Sequence, residues 1–371
     1  MLAANFNYRL NVSFFTFICA LVLSNSQLTA QTPISDLNYF SKNCRTSGGQ
    51  EVPCELVGIN MDLARETAGH CPSGLGIDTP TPIELKNMNV KWVRQDKGWM
   101  DVLGRDLAAR DGLSDEQGYE KAYGKLRDFY YQNTKVLLVI HGDYYGSAIR
   151  LLHKFGPIIG AWQIANEPDI AISIRPIIPA SAYARDLRQG YHEIKRAYVD
   201  YYNQIGAVLR PGDIPPVITA GFASKNPYYL QQVINEFRGE ALPFDGVATH
   251  FYAVNTTNMA HPFPAPFTAS TPTIKELLKS YQRVVPNHPI WVTEVGIHQA
   301  HLTTDLVKTY MGAAYTDLVN AVQEGVKLSN TFWFAWHNVM PGTFGLVDLC
   351  GQRKWQDYNQ FWGIATGVQP K

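Results

Sequence analysis

Residues 135–166 read KVLLVIHGDYYGSAIRLLHKFGPIIGAWQIAN, and this segment decides the fold class. Its first residues, KVLLVIH, and its last, AWQIAN, are short apolar runs rich in β-branched and aromatic side chains, which predicts two strands. Between them lies a helical pattern that begins near Ser147 and ends at Gly156, a residue type favoured just after a helix. A strand, a helix and a second strand in this order indicate a βαβ unit with parallel strands.

Six similar apolar runs extend this pattern along the chain at intervals of roughly 40 residues. They begin at Glu55, Val90, Pro216, Phe244, Pro289 and Thr331, and they read ELVGIN, VKWVRQ, PVITAG, FDGVATHFY, PIWVTEVG and TFWFAW. An interval of this length fits a βα unit, whereas all-β folds place their strands roughly 8 to 12 residues apart. Eight strands that alternate with helices predict an α/β protein with a (β/α)8 TIM barrel as its single domain.

An open, doubly wound sheet is the alternative arrangement of the same elements. That fold carries a GxGxxG phosphate-binding turn after its first strand. Here the first strand continues as GINMDLARETAG over residues 58–69, which lacks such a turn, so the barrel is favoured. Ser114 with Gln117, and Thr273 with Glu276, have the spacing of a capping box and predict two helix starts.

The first 30 residues have the pattern of a secretory signal peptide. Arg9 is the only charged residue before position 36, and it precedes the apolar run 12–23, which is followed by the small-residue end LTA at 28–30. This run is shorter than the roughly 20 residues that a membrane span needs. We therefore expect cleavage near Ala30, an N-terminal extension over 31–54, a barrel over 55–371, and a secreted protein, extracellular or periplasmic, without a membrane anchor; an uncleaved anchor is the alternative.

The cysteines fit a secreted chain. Cys19 would leave with the signal peptide, and Cys44, Cys54, Cys71 and Cys350 would remain. Four cysteines allow two disulfides in three connectivities, and the sequence does not separate these. A structural zinc site is not favoured, because no two cysteines have the Cys-x2-Cys spacing.

The composition excludes one class of partner. Lysine and arginine number 32 and so do aspartate and glutamate, so the formal charge is zero, and 17% of the residues are charged. Nucleic acid binding needs a basic surface, which this balance does not predict. Aromatic residues make up 12% of the chain, more than a core requires. Trp99, Tyr144, Tyr145 and Phe263 are candidates for stacking on an uncharged ligand in a cleft, and ordinary packing is the alternative that is more common for any one of them.

The barrel prediction singles out the polar residues that close each apolar run, because active sites in this fold lie at the C-terminal ends of the strands. These residues are Asn60, Arg94, Asp96, His141, Asp143, Asn166, Glu167, His250, Tyr252, Glu294, Trp336 and His337. Two of them are carboxylates on different strands: Glu167 in QIANEPD on strand 4 and Glu294 in WVTEVGIH on strand 7. A charge at the end of an apolar strand costs free energy unless it is paired or used, so both need an explanation.

Together these motifs resemble the clan A glycoside hydrolases, retaining β-glycosidases that include the family 5 and family 39 types. In that clan the general acid/base is the glutamate of an Asn-Glu-Pro sequence at the end of strand 4, and the nucleophile is a glutamate at the end of strand 7. The resemblance implies that Glu167 is the acid/base, that Glu294 is the nucleophile, and that Asn166 binds the sugar 2-hydroxyl.

The resemblance also implies supporting residues. Arg94 would hydrogen-bond the nucleophile, His250 and Tyr252 would flank the bound sugar, and Trp336 would lie beneath it. His141 is expected to line the cleft. Ala165 departs from the clan pattern, since many relatives have an aromatic residue there, and this departure concerns substrate preference.

Retaining hydrolysis needs two carboxyl groups about 5 Å apart, one ionised and one protonated. We expect Arg94 to favour the charged form of Glu294, and we expect repulsion from Glu294 to raise the pKa of Glu167. The predicted function is hydrolysis of a neutral β-linked polysaccharide or oligosaccharide without cofactor or metal. The spacing of His298 and His301 alone does not predict a metal site. Two alternatives stay open: a catalytically silent carbohydrate-binding barrel, and a metal-dependent hydrolase, which strand 1 disfavours because it lacks His-x-His.

Overall fold

The computed structural model describes residues 55–61, 81–171, 175–224, 227–253, 272–297, 304–336, 345–346 and 354–366. The predicted signal peptide, the N-terminal extension and all five cysteines lie outside these ranges, as do Phe263, His298, His301 and His337. Signal cleavage and disulfide formation therefore stay predictions. Within the described part of the chain, no helix combines the length and the apolar character that crossing a membrane demands.

Eight parallel strands form a closed barrel in sequence order, which confirms the predicted fold class. The strands are β1 (Val57–Asn60), β2 (Trp92–Asp96), β3 (Lys135–Ile140), β4 (Ile159–Ile164), β5 (Val217–Phe222), β6 (Gly246–Ala253), β7 (Ile290–Ile297) and β8 (Leu328–Trp333). The barrel closes because β1 pairs with β2 on one side and with β8 on the other. Parallel pairing brings the C-terminal ends of all eight strands to one mouth of the barrel.

Helices follow the strands and cover the outside of the barrel. Those described are Pro82–Asn87, Lys97–Asp111, Asp115–Tyr131, Tyr144–Phe155, Ala180–Gln204, Tyr228–Asn235, Ile274–Val284, Thr304–Gln323 and Trp355–Thr366. Both predicted capping boxes form, at Ser114 and at Thr273. The helix after β3 ends before Gly156 as predicted but starts at Tyr144, earlier than the pattern near Ser147 indicated.

Two strands end earlier than the apolar runs predicted, and this places site residues in the segments that follow. β4 ends at Ile164, because Ala165 has a left-handed φ of 65° that an extended strand cannot contain. β8 ends at Trp333, so Trp336 lies beyond the strand. Asn166 then meets β5 through a single bridge to Gly221.

Much of the aromatic surplus lies in the core and not in a cleft. Trp92 and Trp291 meet edge to face inside the barrel with ring centroids 5.3 Å apart, and Phe332 packs beside them. Tyr144, a candidate stacking residue, is buried, and the Tyr145 hydroxyl donates to Asp200 of an outer helix. A cavity of about 680 Å³ beside the two tryptophans opens at the N-terminal ends of the strands, opposite the two predicted catalytic carboxylates.

Candidate active site

Glu167 and Glu294 meet at the C-terminal mouth of the barrel, as predicted. Glu294 belongs to β7 and is 4% exposed, while Glu167 lies just after β4 and is half-buried. Both approach His250 of β6: Nδ1 of the imidazole is 2.8 Å from Oε1 of Glu167 and 3.5 Å from Oε2 of Glu294. Each glutamate has a carboxylate oxygen within 4.8 Å of the other's. This upper limit is compatible with the separation of about 5 Å that retaining hydrolysis of a glycoside requires.

Arg94 organises the floor of this site through four hydrogen bonds from a buried guanidinium. Nη1 donates to Oε1 of Glu294 at 2.6 Å and to Oδ1 of Asn60 at 2.8 Å. Nη2 donates to Oδ1 of Asn166 at 2.7 Å, and Nε donates to Oε1 of Gln163 at 2.9 Å. The planar guanidinium thus fixes groups from β1, β4 and β7 relative to one another. The predicted contact between Arg94 and the nucleophile candidate is present.

The pKa of Glu294 is raised, mainly because burial removes water from its carboxylate. Arg94 lowers it through its charge and its hydrogen bond, and Glu167 raises it further by charge repulsion. The influence of Arg94 therefore has the expected sign, but burial outweighs it. The sequence could not show this balance, because it depends on how completely the barrel encloses the carboxylate.

His250 is neutral near pH 7, because burial lowers its pKa to about 4. A neutral imidazole can donate from Nδ1–H to a carboxylate, or accept at Nδ1 from a carboxylic acid. Its hydrogen bond with Glu167 can therefore exist in both protonation states of that glutamate. Nε2 has no hydrogen-bond partner among the described residues and faces Gly221.

The aromatic residues after β8 differ in exposure and contacts. Trp336 is 2% exposed and its ring packs against Tyr358 of the last described helix. Phe334 is half-buried, and its ring meets Tyr252 at 5.5 Å between centroids. Tyr252 in turn meets the ring of His250 at 6.2 Å. An aromatic row therefore runs from His250 through Tyr252 to Phe334. The sequence pattern singled out the first two of these residues but not Phe334.

A second polar pair lies at the ends of β2 and β3. Nε2 of His141 is 3.3 Å from Oδ2 of Asp96, and His141 is exposed. Burial would raise the pKa of Asp96, but the hydrogen bond and charge of His141, helped by Arg94, lower it overall. Asp96 also caps the helix Lys97–Asp111, on whose first turn Trp99 is 53% exposed. Asp143 is exposed at the start of the helix Tyr144–Phe155, which follows β3.

Sequence reasoning missed several residues that hold the site together. Gln163 is fully buried on β4 and binds Arg94, and an amide inside the apolar run AWQIAN was the available signal. Arg175 binds backbone carbonyl groups at Asn166 and Glu167, and Asp169 binds backbone amides just after β5. No local pattern marks these two, because their partners are main-chain groups.

Glu167, His250 and Glu294 also converge as metal ligands do, and among the described residues this is the one such group. The guanidinium of Arg94 already binds one carboxylate oxygen of Glu294. A divalent cation there would be repelled by this fixed positive charge. The arrangement suits acid–base chemistry with two carboxyl groups better than metal binding.

No known family profile and no curated protein matches the sequence. Solved structures do match. A β-glucosidase from Thermotoga maritima in complex with deoxynojirimycin is 14% identical with a TM-score of 0.52, and the match covers 84% of this chain and 98% of that one. A family 1 β-glucosidase from the same organism is 14% identical with a TM-score of 0.51, over 84% and 98% of the two chains.

A family 39 glycoside hydrolase from the gut symbiont Bacteroides cellulosilyticus WH2 is 15% identical with a TM-score of 0.50, over 85% of this chain and 66% of that one. At this level of identity the likeness concerns the fold. The chain has the (β/α)8 barrel of these family 1 and family 39 glycoside hydrolases, and the resemblance to clan A that its motifs indicated is confirmed at the level of the fold.

Proposed function

We propose that this protein is a retaining glycoside hydrolase in which Glu294 is the nucleophile and Glu167 the general acid/base. One observation carries the proposal: two carboxylates from β7 and from the end of β4 approach within 4.8 Å at the mouth of the barrel. Such a pair, placed across a glycosidic bond, supports double displacement.

The two carboxylates have different surroundings, and these support the proposed roles. Glu294 accepts a hydrogen bond from the cationic Arg94, which favours its ionised form against the opposing effect of burial. The Glu167 side chain is 19% exposed against 6% for Glu294, and its hydrogen-bond partner His250 is neutral. In the proposed mechanism Glu167, the more exposed of the two carboxyl groups, gives its proton to a leaving group that departs toward solvent.

In the first step an oxygen of Glu294 bonds to the anomeric carbon and the bond from that carbon to the leaving oxygen breaks. The proton of Glu167 passes to the leaving oxygen. In the second step Glu167 takes a proton from water, the water oxygen bonds to the anomeric carbon, and Glu294 is released as a carboxylate. The negative charge of Glu294 is absent in the intermediate, so Glu167 is then a carboxylate without that repulsion and can act as the base.

The proposed substrate is a neutral β-linked polysaccharide or oligosaccharide. The balance of 32 basic and 32 acidic residues favours an uncharged ligand, and the half-buried ring of Phe334 offers an apolar surface next to Tyr252. Two of the three solved structures with this barrel described above are β-glucosidases, so β-glucosides are the first substrates to test. With the predicted signal peptide, we propose that the protein acts after secretion.

The test is hydrolysis by the purified protein of a panel of aryl β-glycosides in the gluco, galacto, manno and xylo configurations. NMR of the first product should show the β anomer, and an α product would overturn the mechanism. Glu167→Gln and Glu294→Gln should each lower kcat at least about 100-fold on an unactivated substrate. Glu240→Gln, at an exposed surface carboxylate, is the matched control.

Two outcomes would reject the proposal. Full activity in both active-site variants would show that these carboxylates are not the catalytic pair. Binding of β-linked oligosaccharides by the wild-type protein, without turnover of any member of the panel, would instead indicate a carbohydrate-binding barrel.

A further inference from the structure

The backbone that carries Glu167 has an unfavourable conformation. Ala165 has a φ of 65° and Glu167 a φ of 48°, although neither residue is glycine. Left-handed backbone of this kind costs free energy in other residue types and persists only where neighbouring groups hold it. The direction of the Glu167 side chain therefore depends on what holds this turn, which we call the acid/base turn (residues 165–169).

One side of the acid/base turn is attached to β5. The amide of Glu167 donates to the carbonyl oxygen of Gly221 at 3.1 Å. The carboxylate of Asp169, which is buried, accepts from the amides of Ala223 at 3.1 Å and Ser224 at 2.7 Å. These bonds engage the amide of Glu167 and the carboxylate of Asp169 at the C-terminal end of the turn. They do not involve the carbonyl groups of Asn166 and Glu167 at its centre.

Arg175 binds those central carbonyls. Its Nη2 donates to the carbonyl oxygen of Asn166 at 3.4 Å and, at a shorter distance, to that of Glu167. Hydrogen bonds from a charged donor are stronger than neutral ones. Nη1 of Arg175 is buried and has no partner among the described residues, so the carbonyls of the turn are the hydrogen-bond acceptors found for this guanidinium.

Glu294 is held in a different way. It lies within β7, paired to β6 through the register of His250 opposite Glu294, and its carboxylate binds Arg94. Arg175 makes no hydrogen bond to Glu294 or to Arg94 in the described structure. Arg94 thus binds the side chain of Glu294 directly, whereas Arg175 binds the backbone that carries Glu167.

We propose that Arg175 is a positioning residue for the general acid/base, acting through the carbonyl groups of Asn166 and Glu167. The inference rests on the proposed glycosidase activity. Its consequence is specific: loss of Arg175 should impair the steps that need proton transfer by Glu167 and should spare the attack by Glu294.

Leaving-group chemistry separates these steps. An alkoxide leaving group must receive a proton from the acid, whereas 2,4-dinitrophenolate leaves without one. In the second step water needs the base, whereas azide, already an anion, attacks the intermediate without it. A misplaced Glu167 therefore gives a recognisable kinetic pattern that a general loss of folded protein does not give.

The experiment compares wild type and Arg175→Met on an alkyl glycoside and on the 2,4-dinitrophenyl glycoside of the sugar that the wild type accepts. We expect kcat/KM of Arg175→Met to fall at least about tenfold on the alkyl glycoside and to change less than about twofold on the dinitrophenyl glycoside. On the latter, kcat and KM should fall together, because the glycosyl-enzyme accumulates. Azide should restore kcat and yield the β-glycosyl azide.

Two further variants complete the design. Arg175→Lys retains a cationic donor and should recover part of the activity on the alkyl glycoside. Arg188→Met removes an arginine that pairs with Glu240 at the surface of an outer helix, and it should match the wild type on both substrates. If circular dichroism shows that Arg175→Met is unfolded, the same comparison is made with Arg175→Gln and Arg175→Lys.

Equal losses on both glycosides, without an azide effect, would show that Arg175 only supports the fold and would overturn the inference. Unchanged activity on both would also overturn it. Failure of the proposed function looks different, since the wild type would then hydrolyse neither glycoside, or Glu167→Gln would retain full activity on the alkyl glycoside.

Discussion

Gly221 lies directly against the imidazole of His250. A Cβ atom at position 221 would lie 1.9 Å from Nε2 of that ring, far inside any permitted contact. The same glycine pairs with Asn166 and accepts the amide hydrogen of Glu167. Because position 221 on β5 has no side chain, His250 of β6 can reach the two carboxylates.

Gly221→Ala should push His250 away from Glu167 and lower kcat/KM at least about tenfold, because the hydrogen bond at Nδ1 is then lost. Gly124→Ala is the control, because the new Cβ would have only the flexible end of Arg127 near it, at 3.9 Å, on a helix. That control should raise the free energy of unfolding by about 0.5–1 kcal/mol. If Gly221→Ala is as active as Gly124→Ala, the contact of His250 with Glu167 is not needed for activity.

Arg94→Met should move the acidic limb of the pH profile of kcat/KM to higher pH. The guanidinium lowers the pKa of Glu294, so its removal raises that pKa and the carboxylate ionises only at higher pH. The loss of one partner from a buried ion pair should also destabilise the protein by about 3–5 kcal/mol. Arg127→Met, at an exposed helical arginine, should change neither the pH profile nor the stability. If the acidic limb of Arg94→Met stays at the wild-type pH, Arg94 does not lower the pKa of the nucleophile.

Asp357→Asn should stabilise the protein at neutral pH. Burial raises the pKa of Asp357 to about 6, the residue is 3% exposed, and Oδ1 has no hydrogen-bond partner among the described residues. Because the folded pKa exceeds the unfolded one, this group costs no stability below about pH 4 and costs progressively more as the pH rises through 6.

We expect Asp357→Asn to raise the free energy of unfolding by about 1–3 kcal/mol at pH 7.5 and by little at pH 4. Urea denaturation at the two pH values measures the difference. The control is Asp128→Asn at an exposed carboxylate. An equal gain at both pH values would rule out ionisation of Asp357 as the cause.

Removal of the Phe334 ring should mainly change KM, whereas removal of the Trp336 ring should mainly change the stability of the protein. Phe334→Ala removes a half-buried ring beside Tyr252, so we expect a raised KM with a small change in stability. Trp336→Ala leaves a cavity against Tyr358 and should cost about 3–5 kcal/mol of stability. Thermal melts and steady-state kinetics of both variants test this. If Trp336→Ala stays folded and its KM rises more than that of Phe334→Ala, then Trp336 and not Phe334 contacts the substrate.

Alternation of apolar runs with helical patterns determined the barrel from the sequence alone, because each run had to form a buried strand and each interval had room for a helix. Parallel strands then bring their C-terminal ends to one mouth, so the positions of Glu167 after the fourth run and of Glu294 in the seventh were enough to predict that the carboxylates meet. The predicted contact of Arg94 with Glu294 is present for the same reason.

The tertiary structure decided what local patterns do not contain. The raised pKa of Glu294 follows from its enclosure, which outweighs the nearby Arg94. Phe334 lies beside Tyr252, with Trp336 packed on Tyr358, because β8 ends three residues earlier than its apolar run. The role of Arg175 arises from main-chain carbonyls exposed by a left-handed turn, and a backbone conformation of this kind leaves no mark on the spacing of side chains along the chain.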